Sequence, residues 1–197
     1  MPRQAQFSKS DIVAAAMKIL RTQGWRMITA RSISKELSCS VSPLFTAYDS
    51  MDEILQDVLA ECTRSLNEYL SDVSEYRLSF KEMGLRLYRF SIEEPKLFRA
   101  LFLRPNADLS IIDKTAMECL KELENEFGFD DKMAADFLEQ MRPVIVGVSG
   151  LANNDPQNWN EDRVSQILSK QFYAFLLLIK SGQEVIIRNP EKKWKSE

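Results

Sequence analysis

The chain has 197 residues, 45% of them hydrophobic and 28% charged, with 6 glycines and 7 prolines. This composition excludes a disordered, collagen-like or low-complexity chain, and no apolar run approaches the ~20 residues of a membrane-spanning helix. We therefore predict a globular protein with no membrane span. With no secretory signal visible at the N-terminus, we expect a cytoplasmic location.

Charge is divided unevenly along the chain. Residues 1–48 contain seven Lys or Arg and two acids, a net charge of +5, whereas residues 49–197 carry a net charge of -8. A basic N-terminal part on an acidic remainder indicates contact with a polyanion, although chance clustering gives the same counts.

The residue types that much of enzyme chemistry needs are missing. The sequence has no histidine, which excludes Ser-His and Cys-His nucleophile pairs and every His-containing metal site. The cysteines are odd in number and widely spaced, so we predict free thiols. The best remaining candidate for a metal site is a group of carboxylates at Asp130, Asp131, Asp136 and Glu139, which could bind Mg2+. Capping of a helix start explains these residues better, so we expect no metal, cofactor or enzyme activity.

Apolar residues recur at helical spacing nearly everywhere, which predicts an all-α fold. The first helix is expected to begin after a capping box at Ser8 and to end at Gly24. Two short helices should follow caps at Thr29 and Ser40. The second short helix is predicted at residues 41–48, and further helices at 51–70, 79–93, 96–104, 109–127, 131–152 and 161–181.

The two short helices, joined by a tight turn and preceded by a third, have the layout of a helix-turn-helix. Trp25 and Met27 are expected to return to a shared core. The other predicted core residues are Ile12, Ala16, Ile19, Ile33, Leu37, Leu44, Phe45 and Tyr48. Small and hydroxyl side chains would face outward, where they suit close approach to a major groove. These are Val41, Ser42, Thr46 and Ala47.

Residues 8–60 resemble the N-terminal domain of TetR-family one-component transcription regulators. The resemblance rests on Gly24-Trp25, the caps Thr29 and Ser40, and Leu44-Phe45 followed by Tyr48, all in register. It implies an all-α homodimer with an N-terminal three-helix DNA-binding domain and a C-terminal helical bundle that dimerises and binds a small molecule. We accordingly assign DNA binding to residues 1–49, ligand binding and dimerisation to 50–182, and a frayed tail to 183–197.

The resemblance also implies which residues contact DNA, with Thr29 matching a phosphate contact. The implied set is Thr29, Arg31, Ser40, Val41, Ser42, Phe45, Thr46 and Tyr48. The sequence departs from the family pattern where Phe45 stands for a Tyr, Ala47 for a His and Met51 for a Lys. The missing Lys lowers the counterion-release contribution by about one phosphate.

The predicted function is a ligand-responsive transcriptional regulator, expected to repress, that binds a pseudo-palindromic operator in double-stranded DNA as a homodimer. The alternative is a TetR-like helical adaptor that has lost operator binding and acts through a protein partner. The three departures at positions 45, 47 and 51 leave that alternative open.

Two sets of residues are predicted in the C-terminal part. An apolar effector pocket, with Arg86, Arg89 or Arg99 as polar anchor, is the first, and simple core packing is its alternative. Its lining is Met83, Leu87, Tyr88, Phe98, Phe102, Met117, Phe137 and Met141. The last two helices are expected to form a four-helix dimer interface, with a monomer as the alternative. The interface set is Ile145, Val148, Leu151, Val164, Leu168, Phe172, Phe175, Leu176 and Ile179.

Overall fold

The structure, a computed structural model, describes residues 7–71, 79–128 and 130–181, without the side chains of residues 121–127 and 179–181. Within these ranges the fold is all-α and contains no strand, which confirms the predicted class. The predicted tail at 183–197 lies outside the described residues. The α-helices in chain order are α1 Lys9–Gln23, α2 Ala30–Glu36, α3 Leu44–Ala47, α4 Met51–Ser71, α5 Phe80–Glu93, α6 Pro95–Phe102, α7 Asp113–Phe127, α8 Asp131–Asn154 and α9 Glu161–Ser181.

Local capping sets most helix ends. The Ser8 hydroxyl accepts the Asp11 amide at 3.2 Å while the Asp11 carboxylate accepts the Ser8 amide at 2.9 Å, so the predicted capping box is present. Hydrogen bonds from the Ser8 side chain and backbone lower the pKa of Asp11. Gly24 closes α1 at a φ of 95°, where a side chain would be strained. The Asp130 carboxylate accepts the Met133 amide at 2.7 Å at the start of α8, so it acts as a cap.

The third helix is shorter than predicted. It begins at Leu44 instead of residue 41, and the Ser40 side chain makes no capping bond to it. Because Ser42 precedes Pro43, the α conformation is disfavoured at Ser42 and a regular helix starts only after the proline. The chain before it forms a turn in which the Leu44 amide donates to the Val41 carbonyl at 3.1 Å.

The fourth helix connects the N-terminal helices to the rest of the fold, because it packs against α1 and also against α5 and α6. Its cap differs slightly from the prediction, since Ser50 accepts the Glu53 amide but the Glu53 carboxylate accepts the amide of Asp49. Cys62 lies buried on this helix with its Sγ 3.6 Å from Met17 Sδ, and burial raises the pKa of its thiol to about 12. The predicted domain boundary at residues 49 and 50 stays a prediction.

The C-terminal part is centred on α5, which packs most extensively on α8 and α9. Gly84 permits this packing, because a Cβ at that position would lie 2.9 Å from Leu168 Cδ1. Phe137 forms edge-to-face contacts with Phe80, Phe172 and Phe175, with ring centroids 4.8, 5.6 and 5.5 Å away. Among the described helices, none is long and apolar enough to cross a membrane.

Candidate nucleic-acid interface

Thr29 begins the helix-turn-helix. Its hydroxyl accepts the Ser32 amide at 3.1 Å and its own amide donates to the Ser32 hydroxyl at 2.9 Å. Ser32 also donates to the Met27 carbonyl at 2.7 Å, which ties the start of α2 to the preceding turn. The Thr29 side chain is therefore held in one place at an exposed helix start.

Two side chains anchor α3 to the core. Leu44 is fully buried, and Tyr48 is only 2% exposed. The Tyr48 hydroxyl donates to Asp57 Oδ2 on α4 at 2.7 Å. Burial and the Asp57 carboxylate raise the pKa of Tyr48, so the phenol is neutral throughout the physiological range. The prediction of Tyr48 as a core residue is confirmed. Its assignment as a DNA contact stays a prediction, which this burial disfavours.

The face of α3 and of the turn before it that points to solvent carries the other predicted contacts. Ser40, Ser42, Phe45 and Thr46 are exposed, while Val41 and Ala47 are half-buried. Phe45 is 44% exposed, which corrects its prediction as core and leaves it available to a partner. The Thr46 hydroxyl donates to the Ser42 carbonyl at 3.3 Å, so its oxygen remains free to accept a hydrogen bond.

Several basic side chains of the N-terminal helices and turns are exposed. Arg26, Arg31 and Lys35 are exposed, and none pairs with a carboxylate in the described part of the chain. Lys9 Nζ lies 4.4 Å from the centre of the Tyr48 ring, so this cation of the basic N-terminal part is next to α3. Lys18, in contrast, is neutralised by Glu36. Unpaired cations of this kind supply phosphate contacts.

Met27 is a second correction in this region. It was predicted to return to the core, but it is 49% exposed, and Trp25 is only half-buried. The cause is the 3-10 turn Trp25–Met27, which places three consecutive residues around a tight turn instead of along one buried face.

The predicted effector pocket is packed core. The seven residues Met83, Leu87, Tyr88, Phe98, Phe102, Phe137 and Met141 are buried, and Met117 is half-buried against them. The predicted polar anchor Arg89 is neutralised by Glu82 and Glu161, whose hydrogen bonds, with that from Glu161 the largest cause, raise its pKa. The cavity described below shares only Arg99 with this predicted site, and the apolar lining of an effector pocket stays a prediction.

Most of the predicted dimer residues are also buried within the chain. Ile145, Val148, Val164, Leu168 and Leu176 pack inside one subunit, and Phe172 and Phe175 are half-buried against the core. The sequence pattern shows which residues are apolar, but it does not show whether they are buried by the rest of the same subunit or by a second subunit. The Ile179 side chain lies outside the described residues, and Leu151 is 47% exposed.

An apolar face that the prediction missed lies on the opposite side of α9. Tyr173 and Leu177 are 65% and 69% exposed, although both are large apolar side chains. On α8, Gly147 has no atom within 4 Å of a Cβ built on it, so its surface is open. In the sequence, the apolar residues of α9 cover more of the helix circumference than packing against one core requires. The structure shows which side of the helix remains exposed.

No cluster of three potential metal ligands occurs among the described residues, and the carboxylates considered for Mg2+ belong to none.

No protein-family model and no curated protein matches the sequence.

Solved structures do match the fold. A TetR-family transcriptional regulator from Streptomyces coelicolor has a TM-score of 0.64 at 10% identity, over 89% of this chain and 85% of that chain. Apo ActR from Streptomyces coelicolor has a TM-score of 0.59 at 18% identity, over 91% and 100% of the two chains. ActR in complex with (S)-DNPA has a TM-score of 0.54 at 19% identity, over 87% and 100%. The chain therefore has a TetR-like fold.

Proposed function

We propose that this TetR-like chain is a DNA-binding transcriptional regulator that reads a pseudo-palindromic operator with α3. The observation that carries the proposal is the exposed face of α3 and of the turn before it, where Ser42, Phe45 and Thr46 are exposed to solvent while Leu44 and Tyr48 hold the helix to the core. The Thr46 oxygen suits the exocyclic amine of adenine or cytosine in the major groove. Thr29, Arg31 and the cations beside them would contact phosphates.

The test is binding of the purified protein to DNA from upstream of its own coding sequence and to a shuffled duplex of equal length, across a salt series. We expect a preference for the upstream DNA that persists at physiological salt. Thr46→Ala should reduce that preference, corresponding to a loss of about 1–3 kcal/mol if the contact is to a base. Arg31→Gln should weaken binding to both duplexes equally and should lower the slope of log affinity against log salt concentration by about one.

Thr22→Ala is the matched control for the recognition helix. The Thr22 hydroxyl donates to the carbonyl four residues earlier, at 2.7 Å, as Thr46 does, but on α1. Its replacement should leave operator affinity unchanged. If both threonine variants fold and weaken operator binding equally, α3 does not recognise the operator sequence.

We propose a homodimer formed through the exposed faces of α8 and α9. An exposed Tyr173 and Leu177 on one helix and the open surface at Gly147 on the other support helix-to-helix contact between two copies. A pseudo-palindromic operator has two half-sites and therefore requires two DNA-binding domains, one from each subunit. Equilibrium sedimentation across a concentration series measures the dimer directly.

We also propose that a small molecule controls DNA binding and that the regulator represses. Binding of (S)-DNPA to ActR, which shares the fold, supports an effector in general. A reporter gene behind the upstream DNA tests the sign of regulation, because deletion of a repressor raises expression and deletion of an activator lowers it.

A second candidate is an adaptor that binds a protein partner through the same face. The observation that favours it is the exposure of Phe45 and Met27, two large apolar side chains in a region expected to meet a phosphate backbone. The adaptor predicts no preference for any duplex at physiological salt, and loss of partner binding on Phe45→Ala.

A further inference from the structure

A cavity of about 480 Å3 lies between the end of α1 and one side of α6. The N-terminal helices contribute Trp25 and Arg26 to its lining, and α6 and the chain after it contribute Lys96, Arg99 and Arg104. Its volume falls in the range of small-molecule sites. Four cations and no carboxylate line it, which is unusual because like charges repel unless an anion lies between them.

The cations of this basic cleft, defined as Arg26, Lys96, Arg99 and Arg104, form no ion pair within the described part of the chain, and the hydrogen bonds that three of them make are to neutral groups. Arg99 donates to the side-chain oxygens of Asn153 and Asn154 at 2.6 and 2.7 Å, and Lys96 donates to the backbone carbonyl of Thr22. These bonds orient the side chains but leave their charge uncompensated. An ordinary core-facing Arg is paired with a carboxylate, as Arg142 is with Asp113.

Arg104 is the strongest indication of a ligand. Its Nε is buried and has no hydrogen-bond partner in the described part of the chain, and its guanidinium lies 6.0 Å from the centre of the Trp25 ring. A buried donor without a partner is costly, so native proteins rarely leave one. An oxyanion in the cleft would satisfy it.

Nearby acids do not take this role. Glu94 is bonded to Arg21, with Arg21 Nε 3.2 Å from Glu94 Oε1. Asp108 has its carboxylate bound by the Ser110 hydroxyl and amide, which are the main reasons its pKa is lowered, and Arg104 contributes only a smaller electrostatic part. The positive field of the cleft therefore remains largely uncompensated.

We propose that the basic cleft binds a small anion with two or more negative charges carried on phosphate or carboxylate oxygens, with Trp25 as an apolar wall. The site lies beside the apolar lining that the sequence predicted for an effector, and it includes Arg99, one of the polar anchors expected for that pocket. It joins the helix-turn-helix side, through Trp25 and Arg26, to the C-terminal side, through Lys96, Arg99 and Arg104.

The position has a regulatory consequence, which rests on the proposed function. An anion that bridges the two sides fixes the orientation of α1 against α6, where Arg21 and Glu94 already make one link. Such a ligand shifts DNA affinity only if it binds the DNA-competent and incompetent states differently.

Binding is measured first without DNA, by titration calorimetry of the full chain with pyrophosphate, citrate, ATP and adenosine. We expect at least one of the three anions to bind, with an affinity that falls as salt rises, and the uncharged adenosine not to bind. A preference for pyrophosphate and ATP over citrate identifies phosphate as the ligand chemistry, and the reverse identifies carboxylate. No heat from any anion at millimolar concentration overturns the proposal.

The variant Arg99→Gln/Arg104→Gln removes two charges from the cleft, and Lys114→Gln/Lys132→Gln removes two exposed charges elsewhere. Thermal unfolding confirms that both variants fold. We expect at least a tenfold loss of anion affinity in the cleft variant alone, and equal affinity in the two variants overturns the assignment. The variant Arg99→Lys/Arg104→Lys keeps both charges. We expect it to fold and to recover part of the anion affinity that the Gln variant loses.

DNA is the competing occupant. If the cleft variant weakens DNA binding and lowers its salt slope while no small anion binds the unmodified chain, the cations contact the phosphate backbone and the proposal is wrong. Anion binding that persists in a chain that binds no DNA supports the site and contradicts only the proposed function.

Discussion

The Tyr48 hydroxyl donates to Asp57 Oδ2 at 2.7 Å, and this bond joins the end of α3 to the side of α4. Tyr48 lies at the C-terminal end of a helix of only four residues, too short to hold its own position. Together with the buried Leu44, the bond fixes α3 against the core from both ends. The exposed face of α3 is thus presented at a defined angle although the helix has little stability of its own.

Tyr48→Phe should lower the free energy of unfolding by about 1–2 kcal/mol, because it removes a hydrogen bond to a charged group while keeping the ring. Urea denaturation measures the change. Asp57→Asn and the double variant complete a mutant cycle, and a coupling energy near zero would show that the bond contributes nothing.

Alkaline pH should destabilise the fold through its tyrosines. Burial, with help from Glu93, raises the pKa of Tyr69 from 10.0 to about 12, and burial also raises the pKa of Tyr48 and Tyr88. Since the folded state holds these protons more tightly, their contribution is complete below the unfolded pKa of about 10 and is lost as pH rises above it.

Urea unfolding between pH 8 and 11.5, with phenolate absorbance recorded in parallel, tests this expectation. Tyr69→Phe should flatten the decline above pH 10 relative to the unmodified chain. Tyr173→Phe is the control when unfolding is measured at a protein concentration that keeps the subunits apart, since this tyrosine is exposed in the single subunit. If the free energy of unfolding of Tyr69→Phe falls with pH as steeply as that of the unmodified chain, Tyr69 does not contribute to the alkaline destabilisation.

A charge on the exposed face of α9 should prevent dimer formation. Tyr173→Glu/Leu177→Glu places two carboxylates where an apolar partner is proposed, which should weaken association by roughly a hundredfold, or ~2.7 kcal/mol. Sedimentation equilibrium measures it. Gln171→Glu adds a charge at an exposed position about 160° around the helix from Tyr173 and should leave the dimer intact. Identical dimer constants for all three chains would move the interface elsewhere.

The contact between α5 and α9 should be disturbed by a branched side chain at position 84. Gly84→Val places a Cβ 2.9 Å from Leu168 Cδ1, so this buried leucine must shift, and overpacking should cost about 1–3 kcal/mol. Gly147→Val, also inside a helix but with open space around it, is the matched control and should be near neutral in the isolated subunit. Thermal unfolding at low protein concentration compares the two, and equal shifts would contradict the packing described.

Local chemistry determined the helices. Ser8, Gly24, Thr29 and Asp130 act on the backbone within three or four residues of themselves, so their sequence positions sufficed to predict where helices begin and end. Two starts were misplaced. The start of α3 has a local cause in the pair Ser42-Pro43, and α7, predicted from residue 109, begins at Asp113 because Leu109–Ile112 forms a 3-10 helix first. The same local signals carried the resemblance to TetR-family regulators.

Only the tertiary structure decided which side of an apolar helix is covered. Periodicity marks Phe45 and Leu44 as equally apolar, yet one is exposed and the other buried, because the packing partner comes from distant parts of the chain. For the same reason the predicted dimer residues Val164 and Leu168 are covered within the subunit, whereas Tyr173 and Leu177 are left exposed. The basic cleft is the extreme case: Trp25 and Arg104 are far apart in sequence, and no local pattern predicts a contact whose geometry depends on how α1 packs on α6.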